Sequence, residues 1–356
     1  MSNTILNELL DKHAFDGSPL HVDMPAYHVP FDDQQRAGTE SGVVRAAESS
    51  ERLGVQGPIG CGKTSLLRYA LDDPDAPTAP IWVSVAFDED AVVLDVRRFA
   101  AHLIQGIVRD AQRAGTLSSK EREAILTAAA ERRPLPGKER RRGARLAAKF
   151  WVANAELAGE ITSTLEGVDL KRPASEVLEN VNRALEAIAE TSRHPVIVID
   201  DSDSFTRRQG SGSTREQLIE AFFGPVLRAL TELHAGVIVA VHEEYLDMEC
   251  FQRTRQEHGA LERLLPVPSI VSGQLERILD RRTQLAAGIQ SGEALSATAV
   301  KSLAELNRAG TARNLRTTLG IAHAALVAAV DRDAELIEEQ DIARAAVAQL
   351  GTYTTT

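Results

Sequence analysis

The chain has 356 residues, 43% hydrophobic and 26% charged, with a net charge of −11 and aromatics at only 4%. That length suits two domains rather than one small core, and the acidic balance excludes a surface built as a whole to coat nucleic acid, so any such contact needs a local basic patch. With Cys61 and Cys250 as its only cysteines, no signal-peptide pattern and no apolar run able to span a bilayer, the sequence points to a reducing, cytoplasmic setting and no membrane.

Residues 1–50 read as an N-terminal segment: a short helix from Ile5 to Leu10, a loop rich in Pro, His and Asp from Gly17 to Asp33, then a helix up to Glu51. A short strand, Leu53 to Gln56, leads into Gly57-Pro58-Ile59-Gly60-Cys61-Gly62-Lys63-Thr64-Ser65. This is G-x-x-x-x-G-K-T, the phosphate-binding loop of nucleotide-hydrolysing proteins. Its glycines let the backbone turn with positive φ and approach a ligand closely, and successive N–H groups then form a nest for phosphate oxygens. In this pattern Lys63 neutralises the β and γ phosphates, Thr64 coordinates Mg²⁺, and the helix that follows, Thr64 to Leu71, points its positive end at the same phosphates. Asp72-Asp73-Pro74 stops that helix.

Ala79 to Ala86 reads as a buried strand, and Leu94, Phe99, Leu103, Ile104, Ile107 and Val108 have helical spacing up to Gly115. Ser118 to Glu121 has the spacing of a capping box and opens a further helix, which Pro134 and Pro136 break. The stretch Glu131 to Lys149 then carries eight basic residues (Arg132, Arg133, Lys138, Arg140, Arg141, Arg142, Arg145 and Lys149) against Glu131 and Glu139, a net +6 that leaves −17 on the rest of the chain. Phe150 and Trp151 adjoin it. It reads either as a contact for duplex DNA or a partner, through phosphate neutralisation and stacking, or as a solvated helix face beside two core aromatics.

Ser175 is placed as the cap of a helix carrying Leu178, Val181, Leu185 and Ile188. The run His194-Pro195-Val196-Ile197-Val198-Ile199-Asp200-Asp201-Ser202-Asp203 follows. Four consecutive β-branched residues make a strand buried on both faces, with acids at its carboxyl end, where open α/β sheets place ligands. Asp200 is the candidate for the outer sphere of Mg²⁺, and Asp201 for orienting or deprotonating the attacking water. A capping box at Ser213 to Glu216 opens a helix that contains Leu218, Phe222, Val226 and Leu230. Gly236 to Val241 is another buried strand, with His242 at its end, where a polar residue reaches the γ-phosphate or remains a surface histidine. Leu264 to Ile270, with two prolines, suits an edge strand. Four helices, about 272–287, 296–307, 312–330 and 338–350, close the chain.

This order of motifs resembles the AAA+ ATPases, and within them the origin-recognition and initiator clade. The resemblance rests on the phosphate loop Gly57 to Thr64, the acidic motif Val196 to Asp203 (with Asp201 where glutamate is usual), His242 at the sensor 1 position (usually asparagine), the sensor 2-like run Gly310-Thr311-Ala312-Arg313-Asn314, and Leu275 to Arg282 as a first lid helix. It implies a P-loop parallel sheet flanked by helices over residues 51–270, with a helical, partly basic insertion at about 116–173. A helical lid at 271–350 and a tail at 351–356 complete that plan. It further implies ATP and Mg²⁺ as cofactors, with Lys63, Asp201, His242 and Arg313 as catalytic residues and Arg313 holding phosphates opposite Lys63. An arginine supplied by a neighbouring subunit is expected, with Arg253, Arg255 and Arg263 as candidates and Arg207 and Arg208 as further ones. A homo-oligomer or hetero-complex follows from that. The winged helix usual after the lid in initiators is expected to be missing, since the chain ends at Thr356. A DNA-associated ATPase, a STAND-like signalling or defence switch gating a separate effector protein, and a slow or non-hydrolysing scaffold all remain open. No N-K-x-D guanine signature or L-S-G-G-Q loop occurs, which speaks against a GTPase and a transporter ATPase.

Overall fold

The computed structural model describes residues 4–17, 24–31, 38–73, 75–84, 95–113, 119–130, 173–200, 212–309 and 314–351. Asp201, Asp203, Arg207, Arg208, Arg313 and the basic stretch from Arg132 to Lys149 lie outside the described residues. By internal contacts the chain forms two compact units that do not follow chain order. One comprises 1–41, 57–70 and 266–356, and the other 42–56 and 71–265.

The second unit is built on a five-stranded parallel sheet. Its strands are β1 (Arg52–Gly57), β2 (Thr78–Ser84), β3 (His194–Asp200), β4 (Gly236–His242) and β5 (Arg263–Pro266), in the spatial order β2-β3-β4-β1-β5. Register follows from β2 to β3, with Ile81 opposite Ile197 and Ser84 opposite Asp200, and from β3 to β4, with Ile199 opposite Val239. Every residue of β4, and every residue of β3 after His194, is buried. Only a strand covered on both faces makes an unbroken Val/Ile run favourable. β5 is an edge strand of four residues with mixed burial, and its closing Pro266 needs no ladder donor there.

Helices α1 (Thr4–Asp11), α2 (Met24–Tyr27), α3 (Glu40–Glu48) and α4 (Lys63–Leu71) surround the first strand in sequence, and α5 (Val96–Arg113), α6 (Ser119–Ala130) and α7 (Ala174–Ala189) follow β2. α5 packs on β2, and α7 on β3 and both α5 and α6. α7 differs from expectation at its start: Pro173 is the N-cap and makes no side-chain cap bond, so Ser175 lies inside the first turn. After β3, α8 (Gly212–Ala221) runs into a π turn over Phe222–Val226 and resumes as α9 (Leu227–Leu230). The spacing of Leu218, Phe222, Val226 and Leu230 suggests one regular helix. Pro225 prevents it, because it lacks an N–H and its ring crowds the carbonyl four residues back, and the turn widens to accommodate it. The wider turn buries Phe222 and Phe223 together, the first edge-on to Phe99 and the second against Tyr245 and Phe251.

Burial in α5 pushes the His102 imidazole down to about 4, and the positive charge of Arg109 acts in the same direction. The native ring therefore takes its proton only near pH 4, while the unfolded chain takes it near pH 6.5. The unfolded state binds more protons in that window, so stability falls on acidification. His102→Gln is expected to remove about 2 kcal/mol of the stability loss between pH 7 and pH 5, read as a smaller shift of the urea midpoint. Equal shifts in both proteins would contradict this.

The first unit is helical. Its core joins α11 (Ser272–Ala287), α12 (Ala297–Arg308), α13 (Leu315–Asp331) and α14 (Glu339–Gly351) through Leu275, Leu279, Leu303, Ile321, Leu326 and Ile342. The four match the four helices expected from the apolar periodicity. Leu6 and Leu9 of α1 are fully buried in the same core. Two consecutive arginines of α11 hold the N-terminal segment: Arg281 donates to the Ala26 carbonyl at 2.7 Å, and Arg282 to those of Ala14 and Asp16 at 2.9 and 3.1 Å. The Arg282 guanidinium also lies 5.4 Å from the Tyr27 ring centre, and burial lowers its pKa to about 10. Among the described residues no helix is long and apolar enough to cross a membrane.

Candidate nucleotide site

The loop after β1 has the backbone that its glycines permit. Gly60 and Gly62 adopt φ of 72° and 104°, in the region that side chains disfavour. A Cβ on Gly57 would stand 2.7 Å from Cys61 Sγ, and one on Gly60 would stand 2.8 Å from both Arg316 Cβ and Asn314 Oδ1. Gly62 faces open space. The loop is thus closed on one side by its own cysteine and by the start of α13, and open on the side of Gly62. Asn314 caps α13 by accepting from the Thr317 N–H at 2.8 Å, and the Arg316 N–H donates to the Gly60 carbonyl at 3.3 Å.

Lys63, the first residue of α4, is 5% exposed. Its Nζ donates to the Gly57 and Pro58 carbonyls at 2.9 and 3.0 Å. A buried ammonium is costly unless paired, and here loop carbonyls satisfy it. The same three-donor group can turn toward an anion in the loop. The residues fit a nucleotide's phosphates: left-handed glycines, an open face, a buried cation and a helix N-terminus meet in one loop.

At the sheet, parallel pairing brings the carboxyl ends of β3 and β4 to one edge, so Asp200 and His242 both stand at strand ends on that side. Both are buried, at 8% and 5% exposure. His242 Nδ1 accepts the Glu244 N–H at 3.1 Å, which in the neutral ring leaves the proton on Nε2. The Glu244 carboxylate, 3.9 Å from the same nitrogen, is too distant for a hydrogen bond. The ring meets Tyr245 edge-on at 5.7 Å. Asp201 and Arg313 lie outside the described residues.

The three arginines considered for action on a neighbouring subunit differ. Arg255, on α10 (Glu249–His258), donates to the Leu261 carbonyl at 3.1 Å and lies 5.7 Å from the Phe251 ring centre. Arg263 donates to the Gly42 carbonyl at 2.8 Å and meets Glu51 at 3.3 Å. Arg253 makes a 4.0 Å contact with Glu249, with its side chain 59% exposed. A long exposed i,i+4 pair is weak, so Arg253 has the most freedom to reach another molecule.

A further cluster escaped the sequence reading, which treats residues 17–33 as loop. His28 is 8% exposed, with Nε2 2.9 Å from Glu40 Oε1 and Nδ1 3.1 Å from Ser65 Oγ. Its ring stacks on Tyr69 at 4.6 Å and 29°. Beside it lies a cavity of about 410 Å³ whose lining includes Val29, Pro30, Tyr69, Arg277, Gln284 and Gln290. Only the density of His, Pro and Asp in this segment hinted at a specific role.

No protein-family model matches the chain, and no curated protein sequence does. Among solved structures it is similar to the Orc1 protein of Aeropyrum pernix in complex with DNA, at 16% identity and a TM-score of 0.50, over 94% of this chain and 68% of that one. The likeness shows the fold: a parallel sheet flanked by helices, on the α/β plan of the P-loop NTPases.

Proposed function

We propose that this protein binds ATP with Mg²⁺ and hydrolyses it as a conformational switch, oligomerising and acting with DNA or a DNA-associated partner. The observation that carries the reading is the loop itself, with left-handed Gly60 and Gly62 beside a buried Lys63. Gly57 to Ser65 take the phosphates, with Lys63 on the β and γ groups. Thr64 would supply a hydroxyl oxygen to Mg²⁺ and Asp200 would stand in its outer sphere, as suits a hard cation that prefers oxygen ligands and keeps several waters. The metal, when bound, neutralises charge on the transferring phosphoryl group. Asp201 orients or deprotonates the attacking water, His242 donates from Nε2, and Arg313 holds phosphate opposite Lys63. The cavity beside Tyr69 seats the base, with Val29 and Pro30 as apolar walls and the Gln284 and Gln290 amides for its polar edge. Arg253 acts on the nucleotide of a neighbouring copy, a positive charge that makes turnover depend on assembly.

The DNA part of the reading is supported by the fold shared with a DNA-bound Orc1 and by the +6 stretch from Arg132 to Lys149. Anisotropy of a labelled duplex, measured with and without Mg–ATP across a salt series, tests it. Binding is expected to require ATP and to weaken steeply with salt. Reversing the charges of Arg140, Arg141 and Arg142 is expected to abolish it while ATP binding persists. ATP-dependent oligomers without DNA affinity would overturn this part and make the protein a switch that gates a partner protein.

A further inference from the structure

Ser65 follows the loop's Lys63 and Thr64, and what holds its hydroxyl comes from far away in sequence. Glu40 opens α3, and its Oε1 accepts the Phe31 N–H at 2.8 Å while lying 2.9 Å from His28 Nε2. An ionised carboxylate only accepts, so Nε2 carries the proton. The neutral ring then has a bare lone pair on Nδ1, which accepts the Ser65 hydroxyl at 3.1 Å. Direction therefore runs one way, from Ser65 to His28 to Glu40. Both His28 and Glu40 are buried, at 8% and 6% exposure, so neither can exchange its partner for water without cost. The ring also stacks on Tyr69, one helical turn beyond Ser65, and so grips α4 at two points on one face. The segment that carries His28 is itself held by Arg281, through the Ala26 carbonyl.

We propose that His28 is a positioning residue for the phosphate loop: held by Glu40 in the Nε2–H form, it fixes Ser65 and with it the first turn of α4, whose N–H groups face the phosphates. The inference rests on the loop being the ATP phosphate site. A loop held in its binding geometry before the ligand arrives avoids the ordering cost on binding. The effect belongs in affinity rather than in the chemical step, because His28 and Glu40 are assigned no contact with the nucleotide and Ser65 is assigned only to binding its phosphates.

The test uses the full chain. His28→Phe keeps the ring and its stacking and removes both hydrogen bonds. It is expected to raise Kd for Mg–ATP, and KM, about tenfold, with kcat within about twofold of wild type. Ser65→Ala, which removes the hydroxyl that His28 holds, is expected to raise Kd for Mg–ATP at least as much, and the double variant to be no worse than the worse of the two single variants. His28→Asn, whose carbonyl oxygen stands near the place of Nδ1 and can accept from Ser65, is expected to recover most of the affinity. Long-range proton–nitrogen correlation spectra, with the His28 signal assigned by its loss in His28→Phe, should show the Nε2–H tautomer. Glu40→Gln, whose amide oxygen can take the place of Oε1 and accept from both the Phe31 N–H and Nε2–H, should keep it. An Nδ1–H ring in wild type, additive effects in the double variant, or wild-type affinity in His28→Phe would overturn the proposal alone. Failure of the wild-type protein to bind Mg–ATP would overturn the reading of the loop, and this inference with it.

Discussion

Lys63→Ala is expected to weaken Mg–ATP binding by roughly a hundredfold or more and to bring turnover to background. The size follows from the environment of the ammonium. It is buried, and the two carbonyls that hold it, those of Gly57 and Pro58, belong to the loop that would surround the phosphates. Losing one partner of a close, desolvated charge pair costs about 2–5 kcal/mol, and 1.4 kcal/mol is tenfold in affinity. The same substitution strips two carbonyls of a donor, which costs about 1 kcal/mol or more of stability. The two effects separate in measurement: calorimetric titration with Mg–ATP reads the first, and thermal melting without nucleotide reads the second. Lys63→Arg is a sharper probe. It keeps the charge, but its planar fork cannot take the place of a compact ammonium between two carbonyls, so affinity should still fall. Wild-type affinity in Lys63→Ala would remove the loop from the phosphate site altogether.

The parts of this structure that were legible in the sequence are those whose physics is local or periodic. Val196 to Ile199 announces a strand covered on both faces, because nothing else makes four adjacent branched apolar residues favourable. The loop is legible because Gly60 and Gly62 must occupy a backbone region that other residues avoid. The helices around Leu275, Leu303, Leu326 and Ile342 follow from apolar spacing alone. What stayed hidden depends on partners distant in sequence. The α1 periodicity shows that Leu6 and Leu9 share a face, but not that the face is buried among α11 to α14. His28 lies in a segment without period, and its partners are 12 and 37 residues away. The π turn was missed for a different reason: the spacing from Leu218 to Leu230 satisfies a regular helix, and the steric demand of Pro225 overrides it. Arg253, Arg255 and Arg263 are equivalent as letters. They part only when the structure ties Arg255 and Arg263 to backbone carbonyls.

His242 is where the proposed chemistry is most exposed to refutation. An asparagine is usual at this position in the proteins the sequence resembles, and an imidazole can replace its amide only as a donor from the correct nitrogen. The Glu244 N–H occupies Nδ1, so the neutral ring donates from Nε2. His242→Leu is then expected to leave Mg–ATP affinity within about threefold while lowering single-turnover hydrolysis by roughly 10²–10³, the usual effect of removing one preorganised donor to developing charge. His242→Asn should restore a substantial part of that loss, since its amide can donate from a similar place. A buried histidine with no part in the reaction predicts neither the loss nor the rescue. A variant that loses affinity and turnover in equal measure would mean that the side chain holds the strand end rather than the reaction. In that case the buried contact of His242 with Tyr245, and through Tyr245 with Phe223, is what the substitution has disturbed. Tyr245→Leu would then reproduce it, whereas a donor role predicts that Tyr245→Leu lowers stability and leaves the His242→Asn rescue intact.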